Sequence, residues 1–193
     1  MLKKIYADFN ATTPVKEIIT NSLPGWFAEY YGNPSSLHQP GQAAKKAMEN
    51  ARNSVAASLG ANASEIIFAS GGTESDTLGL YGLAKQYPAK IKKVFVSAIE
   101  HSAVLGQAEL IRSLGLEYAE LPVLSNGVLD LSILEKEMNQ QPILASIMLA
   151  NNETGVIQPV KEVVTLVKKY NGYVHCDAVQ AFGKMNFSVK DLG

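Results

Sequence analysis

Four short polar segments carry the residue types that could bind a ligand, and each of them follows an apolar run. They are Ser70-Gly71-Gly72-Thr73-Glu74-Ser75, Ala98-Ile99-Glu100-His101-Ser102, Ala150-Asn151-Asn152-Glu153-Thr154-Gly155 and Asp177-Ala178-Val179-Gln180. In open α/β sheets, ligands bind outside the carboxyl ends of the strands, which is where these segments would fall. The sequence therefore predicts one ligand site built from four separate loops.

The glycine-containing segment has the chemistry of a phosphate cradle. Gly71 and Gly72 would let the backbone approach a ligand closely, and a helix that starts near Thr73 would present free N–H groups and the positive end of its dipole. The segment matches neither a Walker A loop nor the dinucleotide-binding Gly-x-Gly-x-x-Gly pattern. An ordinary glycine turn with a threonine cap would have the same sequence, so both interpretations stay open for this segment alone.

The other three segments each offer one polar group and one structural alternative. His101 could stack on a flat ligand or move protons, or it could simply start a helix. Asn152 lies in a segment that could aim an amide at a ligand or form a turn, and Asp177 could pair with a protonated ring nitrogen or cap a helix. Cys176 is predicted to be a buried packing residue and His175 to be structural.

A phosphate cradle, a stacking surface, an amide and a carboxylate together fit a phosphorylated aromatic cofactor with a ring nitrogen. Pyridoxal phosphate has this chemistry, because its pyridinium nitrogen needs an acidic partner. The sequence therefore predicts pyridoxal phosphate as the cofactor, with no metal site.

Apolar runs alternate with helical patterns along most of the chain. Strands are predicted at 65–69, 92–97, 143–149 and 172–176, and helices at 41–58, 74–86, 102–114, from near Asp130, and at 159–170. This order predicts an α/β fold with a mostly parallel sheet and helices on both faces. Residues 1–37 are predicted to form an N-terminal arm with a short helix at about 15–30, and residues 38–193 a large cofactor-binding domain with an incomplete sheet.

The composition narrows the class of protein. The chain has 193 residues, with 17 Lys+Arg against 18 Asp+Glu, and 47% of its residues are hydrophobic. This balance argues against nucleic-acid binding and against a disordered tail. The single cysteine excludes an internal disulfide. With no signal peptide or membrane-length apolar run, the sequence predicts a soluble cytoplasmic protein without a membrane partner.

Six blocks along the chain resemble one known family when they are read in order. They are Asn10-Ala11-Thr12-Thr13-Pro14, Gly32-Asn33-Pro34-Ser35-Ser36-Leu37-His38, Ser70-Gly71-Gly72-Thr73-Glu74-Ser75, Glu100-His101-Ser102-Ala103-Val104-Leu105, Asn151-Asn152-Glu153-Thr154-Gly155 and His175-Cys176-Asp177-Ala178-Val179-Gln180. The chain resembles the N-terminal half of a cysteine desulfurase of the NifS/IscS type. These enzymes belong to the class V aminotransferase group of fold-type I pyridoxal-phosphate enzymes, so the resemblance implies the large domain of that fold.

The resemblance implies roles for the phosphate and ring contacts. Gly72 and Thr73 would hold the cofactor phosphate at the helix start. His101 would stack on the pyridine ring and take part in proton movement, and Asp177 would pair with the pyridinium nitrogen.

Two further side chains would contact the ring substituents. Asn152 would contact a ring substituent, and Gln180 would meet the phenolic oxygen. The chain departs from the family pattern near its start, where Ala7 and Phe9 replace a bulkier and a small polar residue, so the role of the entry arm is less defined.

The activity that the resemblance implies is sulfur transfer from L-cysteine, which leaves L-alanine and places a persulfide on an enzyme cysteine. Sulfur-acceptor or scaffold proteins, including those of iron-sulfur cluster assembly, would be partners, and the intact form would be a homodimer. The family's Schiff-base lysine and catalytic cysteine follow the region matched here, so we expect the chain alone to be inactive. The alternatives are a non-catalytic assembly or binding module, and another class V enzyme such as a selenocysteine lyase or aminotransferase.

Overall fold

The computed structural model describes residues 5–193, which group into two compact units that divide between Ile67 and Phe68. The first unit contains helices α1 (Glu17–Glu29) and α2 (Gln39–Leu59) and a 3-10 turn at Ala63–Glu65. The helix predicted at about 15–30 is confirmed by α1. The first four residues of the predicted arm lie outside the described residues, and the predicted division between arm and large domain at residue 37 stays a prediction.

Helix α2 begins and ends at residues whose local conformation or hydrogen bonding favours a helix terminus. The His38 ring caps the first turn, because its Nδ1 accepts a hydrogen bond from the Gly41 N–H at 3.3 Å. Gly60 ends the helix with a left-handed φ of 68°, a conformation that favours glycine.

The second unit is an α/β sheet with helices between its strands. In chain order it contains α3 (Gly72–Asp76), a π-helical turn (Thr77–Tyr81), α4 (Gly82–Gln86), β1 (Lys93–Ser97), α5 (Ser102–Leu105), α6 (Ala108–Ser113), β2 (Glu117–Leu121), α7 (Leu131–Met138), β3 (Leu144–Ser146), α8 (Val160–Lys169), β4 (Tyr173–His175) and α9 (Val189–Leu192). The strand order is β2-β1-β3-β4, and every neighbouring pair is parallel. The predicted α/β class with a parallel sheet is therefore confirmed.

Helices cover the sheet on both faces, because each strand sends alternate side chains to opposite sides. On one face, Val94, Val96 and Leu144 pack with buried residues of the helical segments on either side of β1, such as Leu80 and Ile111. On the other face, the buried cluster consists of Phe95, Ala145 and Ile147 with Leu134, Val163 and Val167 among others. Both faces are apolar, which explains why the strands read as continuous apolar runs instead of alternating ones.

Three of the four predicted strands are confirmed and one is wrong. The runs at 92–97, 143–149 and 172–176 contain β1, β3 and β4, although β3 and β4 are only three residues each. The run at 65–69 is not a strand: residues 66–69 have no regular secondary structure, none of the described strands pairs with them, and Ile67 is 81% exposed. The apolar composition of this run is that of a strand, but strand formation also needs a hydrogen-bonding neighbour.

Three further differences separate the predicted elements from those of the structure. The edge strand β2 was not predicted, because Glu117 and Glu120 interrupt its apolar pattern where one side of the strand faces solvent. The helix predicted at 102–114 is divided into α5 and α6 at Gly106 and Gln107. The helix predicted at 74–86 begins at Gly72 and contains the π-helical turn at its centre.

Candidate functional site

The loops predicted to share one site are linked to each other at the carboxyl edge of the sheet. The Leu149 N–H donates to the carbonyl oxygen of Asp177 at 2.8 Å, which joins the loops after β3 and β4. The Asn151 side-chain amide donates to the carbonyl oxygen of Ile99 at 2.9 Å, which joins the loops after β3 and β1. The three strand-following segments are therefore neighbours, as parallel topology requires.

The start of α3 forms the fourth part of this edge. Gly72 is its first residue, and a Cβ added there would lie 3.3 Å from Cγ2 of Val179 in the loop after β4. A Cβ at Gly71 would meet no other atom within 4 Å, so the space beside it is open. Thr73 is exposed, and the first N–H groups of a helix have no intrahelical acceptor. The structure thus places a backbone donor surface where the sequence predicted a phosphate cradle.

His101 caps a helix, as one of its two alternatives has it, whereas Asp177 is followed by a turn and not by the helix that its capping alternative requires. Asp177 is 9% exposed, and its Oδ1 accepts from the Val179 N–H at 2.9 Å. His101 precedes α5, and its Nδ1 accepts from the Ala103 N–H at 3.1 Å while the side chain stays exposed. These two hydrogen bonds fix the orientation of both side chains, and the exposed His101 ring keeps its outer edge available.

Asn152 and Gln180 lie in the predicted loops but have partners within the chain. The Asn152 side-chain amide donates to Oε1 of Glu153 at 2.8 Å, and the Lys184 ammonium donates to Oε1 of Gln180. Both side chains are half-buried. Their predicted contacts with ring substituents stay predictions.

The residue that organises the loop after β3 is Asn151, to which the sequence analysis gave no role. Its Oδ1 accepts three hydrogen bonds, from the backbone N–H of Glu153 at 3.0 Å, the backbone N–H of Thr154 at 2.9 Å and the Thr154 hydroxyl at 3.0 Å. Asn151 is 7% exposed, so its position inside the turn is structural. Its backbone-like hydrogen bonding is typical of asparagine in turns.

Three buried carboxyl groups lie at this edge of the sheet: Asp76 at 5% exposure, Glu100 at 6% and Asp177 at 9%. Burial, with the nearby charge of Asp177, raises the pKa of Asp76 to about 6. Burial also raises the pKa of Glu100 to about 8, and the charges of Asp177 and Asp76 act in the same direction, against the hydrogen bond from Met148. The acids destabilise one another's ionised forms, so a cation placed among them would be strongly favoured.

Glu100 has only one of its oxygens satisfied. Its Oε1 accepts from the Met148 N–H at 2.7 Å, whereas Oε2 is fully buried and has no hydrogen-bond partner. A bare carboxylate oxygen is costly in this environment, which agrees with the raised pKa. At neutral pH the group therefore keeps its proton.

Two side chains of the strand β4 segment have pKa values moved by burial. The pKa of His175 is lowered to about 4 by burial, although Asp177 opposes this shift. The pKa of the Cys176 thiol is raised to about 12 by burial, with Glu100 and Asp177 adding to the effect. A thiol in this state is a poor nucleophile, which agrees with the predicted packing role of Cys176.

Sequence reasoning missed Asp76, Glu100 and Ser146. Ser146 gave a usable signal, because it is a polar residue in the middle of the apolar run 143–149. Asp76 gave a weaker signal, since helices commonly carry acids in their exposed stripe. Within residues 5–193 the structure contains no group of three or more side chains placed to hold a metal ion. No helix in that range is long and apolar enough to cross a membrane.

Comparison with known proteins places this arrangement in a family. The family model described as aminotransferase class-V matches residues 5–193, so the chain belongs to that family. A curated relative from Dictyoglomus turgidum, named cysteine desulfurase IscS, is 40% identical over 193 residues, which is all of this chain and 49% of the relative. The chain thus spans about half the length of the curated relatives it matches.

Solved structures agree with this family. A structure named NifS-like protein aligns with a TM-score of 0.92 and 41% identity, over 98% of this chain and 53% of that one. A structure described as SspA in complex with cysteine aligns with a TM-score of 0.90 and 31% identity, over 97% of this chain and 54% of that one. The predicted resemblance to cysteine desulfurases is therefore confirmed.

Proposed function

We propose that this chain supplies the cofactor-binding part of a pyridoxal-phosphate-dependent cysteine desulfurase. The observation that carries the proposal is the acidic group of Asp177, which is buried beside Asp76 and Glu100 at the carboxyl edge of the sheet. A buried carboxylate is stabilised by a cation beside it, and the protonated ring nitrogen of pyridoxal phosphate is one. The relatives named as cysteine desulfurases support the choice of reaction.

The residues present fit this cofactor. Its phosphate would lie at the start of α3, where Gly72 and Thr73 offer backbone N–H groups and the space beside Gly71 is open. Its ring would lie against His101, with Asn152 and Gln180 near the ring substituents. When bound, the cofactor supplies an electron sink for the carbon atom that carries the substrate amino group.

The chain's own residues would prepare that chemistry. The Asp177 carboxylate would hold the proton on the ring nitrogen, and its hydrogen bond from Val179 fixes the direction in which it points. Glu100 keeps its own proton at neutral pH, so it adds little charge that would compete with Asp177 for the cation. His101 would shield one side of the ring from water and could carry a proton near the reacting carbon.

The proposed function also implies a substrate and protein partners. L-cysteine would be the substrate, and the solved neighbour described as SspA in complex with cysteine supports this choice. Sulfur would pass to acceptor or scaffold proteins, including those of iron-sulfur cluster assembly. We also propose a homodimer as the working form and a cytoplasmic location.

Equilibrium dialysis of the chain against pyridoxal 5′-phosphate tests the cofactor assignment. We expect saturable binding that Asp177→Asn weakens by about 10-fold to 100-fold, since a charge-assisted hydrogen bond contributes about 1.5–3 kcal/mol. Asp191→Asn, which changes an exposed acid in α9, is the matched control and should leave the affinity unchanged. Equal affinity for the Asp177→Asn variant and the unsubstituted chain would rule out the proposed ring-nitrogen contact.

A second experiment tests the reaction. The chain alone should release no alanine from L-cysteine. A chimera that joins the chain to the remaining half of the Dictyoglomus turgidum relative should release alanine and bind sulfur as persulfide, and it should lose both with Asp177→Asn. Alanine release by the chain alone would contradict the assignment of this chain to cofactor binding.

A further inference from the structure

Three polar side chains that contact one another in sequence connect α3 with β3 and β4. The Ser146 hydroxyl lies 2.8 Å from Nδ1 of His175, and Nε2 of His175 lies 3.6 Å from Oδ1 of Asp76. Ser146 is fully buried, and the His175 and Asp76 side chains are 10% and 7% exposed. The burial of three polar side chains costs free energy of folding unless the side chains satisfy one another's hydrogen-bonding groups.

The fold builds this contact from two directions. Ser146 and His175 are direct partners in the parallel ladder of β3 and β4, so their side chains leave the sheet side by side. The π-helical turn between α3 and α4 provides the opposite wall. A Cβ on Gly79 in that turn would lie 2.7 Å from Cδ2 of His175, so only glycine leaves room for the ring.

The contacts also select one protonation state for His175. An ionised Asp76 carboxylate can only accept, so it favours the tautomer with the proton on Nε2, which lies 3.6 Å from its Oδ1. Nδ1 then accepts from the Ser146 hydroxyl. The acids that act on the ring are Asp76, by its contact with Nε2, and Asp177, by its charge, but burial still lowers the pKa of His175 to about 4.

The position of His175 links the contacts among Ser146, His175 and Asp76 to the proposed cofactor site. His175 and Asp177 are two residues apart in an extended segment, so their side chains point to the same side of the sheet. Asp76 lies one helical turn after Gly72 and Thr73. The contact between Asp76 and His175 therefore connects the element that would hold the cofactor phosphate with the element that would hold the ring nitrogen.

We propose that Ser146, His175 and Asp76 form a positioning relay that fixes the distance between the start of α3 and the Asp177 carboxylate. The inference rests on the proposed cofactor site, because it assigns the relay to a ligand that is bound at both ends. A ligand with both a phosphate and a ring nitrogen gains from correct spacing, whereas a ligand with a phosphate alone does not.

Two probes separate these cases: pyridoxamine 5′-phosphate, which has both groups, and benzyl phosphate, which lacks the ring nitrogen. We expect Asp76→Ala and Ser146→Ala to weaken pyridoxamine 5′-phosphate binding by about tenfold or more, as a lost spacing constraint predicts. Benzyl phosphate binding, followed by chemical-shift titration, should change by less than about twofold. Equal weakening of both probes, or no weakening of either, would overturn the relay.

A matched pair of glycine variants tests the relay without removing a polar group. Gly79→Ala should push the His175 ring out of line and reproduce the effect of Asp76→Ala on the two probes. Gly82→Ala lies in the same helical stretch, where an added Cβ meets no other atom within 4 Å, and it should leave both affinities unchanged. Thermal melting of each variant distinguishes lost positioning from unfolding, and an unaltered pyridoxamine 5′-phosphate affinity in a folded Gly79→Ala variant would contradict the inference.

Imidazole nitrogen NMR of the unliganded chain gives a readout that does not depend on the cofactor. The chain has three histidines, so His38→Asn and His101→Asn variants suffice to assign the His175 signals. We expect His175 to be neutral at pH 6. At pH 8, where Asp76 is ionised, we expect its proton on Nε2, and we expect Ser146→Ala to lose this single state. A protonated His175 at pH 6, or a proton on Nδ1 at pH 8, would overturn the relay while leaving the proposed function intact. Failure of the unsubstituted chain to bind pyridoxamine 5′-phosphate would overturn the proposed function and, with it, the spacing role.

Discussion

Replacement of Glu100 by glutamine should change how the free energy of unfolding depends on pH. Glu100 is 6% exposed, and its Oε2 has no partner while its Oε1 accepts from the Met148 N–H at 2.7 Å. Glutamine keeps the acceptor for Met148 and replaces the bare oxygen with an amide group that cannot ionise. The substitution therefore removes a titration with very little change of shape.

The magnitude follows from proton linkage. The pKa of Glu100 is raised from 4.5 to about 8, so the unfolded chain releases this proton at much lower pH than the folded chain. Between these values the folded state binds more protons, and the stability that comes from the neutral acid is lost as the pH rises. One proton contributes about 1.4 kcal/mol per pH unit, which gives a change of about 4 kcal/mol between pH 5 and pH 8.

The assay is urea unfolding at constant ionic strength between pH 5 and pH 8, followed by circular dichroism. Relative to the unsubstituted chain, Glu100→Gln should become progressively more stable as the pH rises, by about 2–4 kcal/mol across this range. Glu135→Gln, which changes an exposed acid in α7, should show a pH-independent difference from the unsubstituted chain. A pH-independent difference for Glu100→Gln would refute the conclusion that this acid is buried in its neutral form.

Three further outcomes follow from packing and burial. Cys176 should react with iodoacetamide at pH 8 far more slowly in the folded chain than in urea, because its pKa is raised to about 12; equal rates would contradict its burial. Gly172→Ala should lower the melting temperature, because the new Cβ would lie 2.5 Å from the carbonyl oxygen of Ile143, and an unchanged melting temperature would show that β4 can shift without cost. Phe95→Ala should lower the free energy of unfolding in urea by about 3–5 kcal/mol, as expected for a fully buried aromatic ring, and a loss under about 1 kcal/mol would argue against this core.

The parts of the fold that local patterns determine were predictable. Buried strands such as β1 are recognised because Val94, Phe95 and Val96 are apolar on both faces. Strand pairing is not local, which is why the apolar run at 65–69 was mistaken for a strand and the charged edge strand β2 was missed. A sequence pattern reports burial more directly than it reports hydrogen-bonding partners.

The candidate site, like the fold, has parts that the sequence predicted and parts that it did not. The loops after β1, β3 and β4 follow strands as predicted, and parallel topology brings the carboxyl ends of these strands to one edge, whereas the segment with Gly71 and Gly72 follows no strand. The buried acids Asp76 and Glu100 were not, because their burial depends on how α3 and the loop after β1 pack in three dimensions. The relay through Ser146 and His175 depends on the register of β3 and β4, which no single segment reveals.

The most direct test of the proposed function is the protonation state of the cofactor's ring nitrogen on this chain. Pyridoxal 5′-phosphate that carries ¹⁵N in the ring should show, in its NMR spectrum with the chain at pH 8, a nitrogen that is protonated. The signal should move to the unprotonated position with Asp177→Asn. A ring nitrogen that is unprotonated on the unsubstituted chain, or the same signal in both proteins, would contradict the role of Asp177.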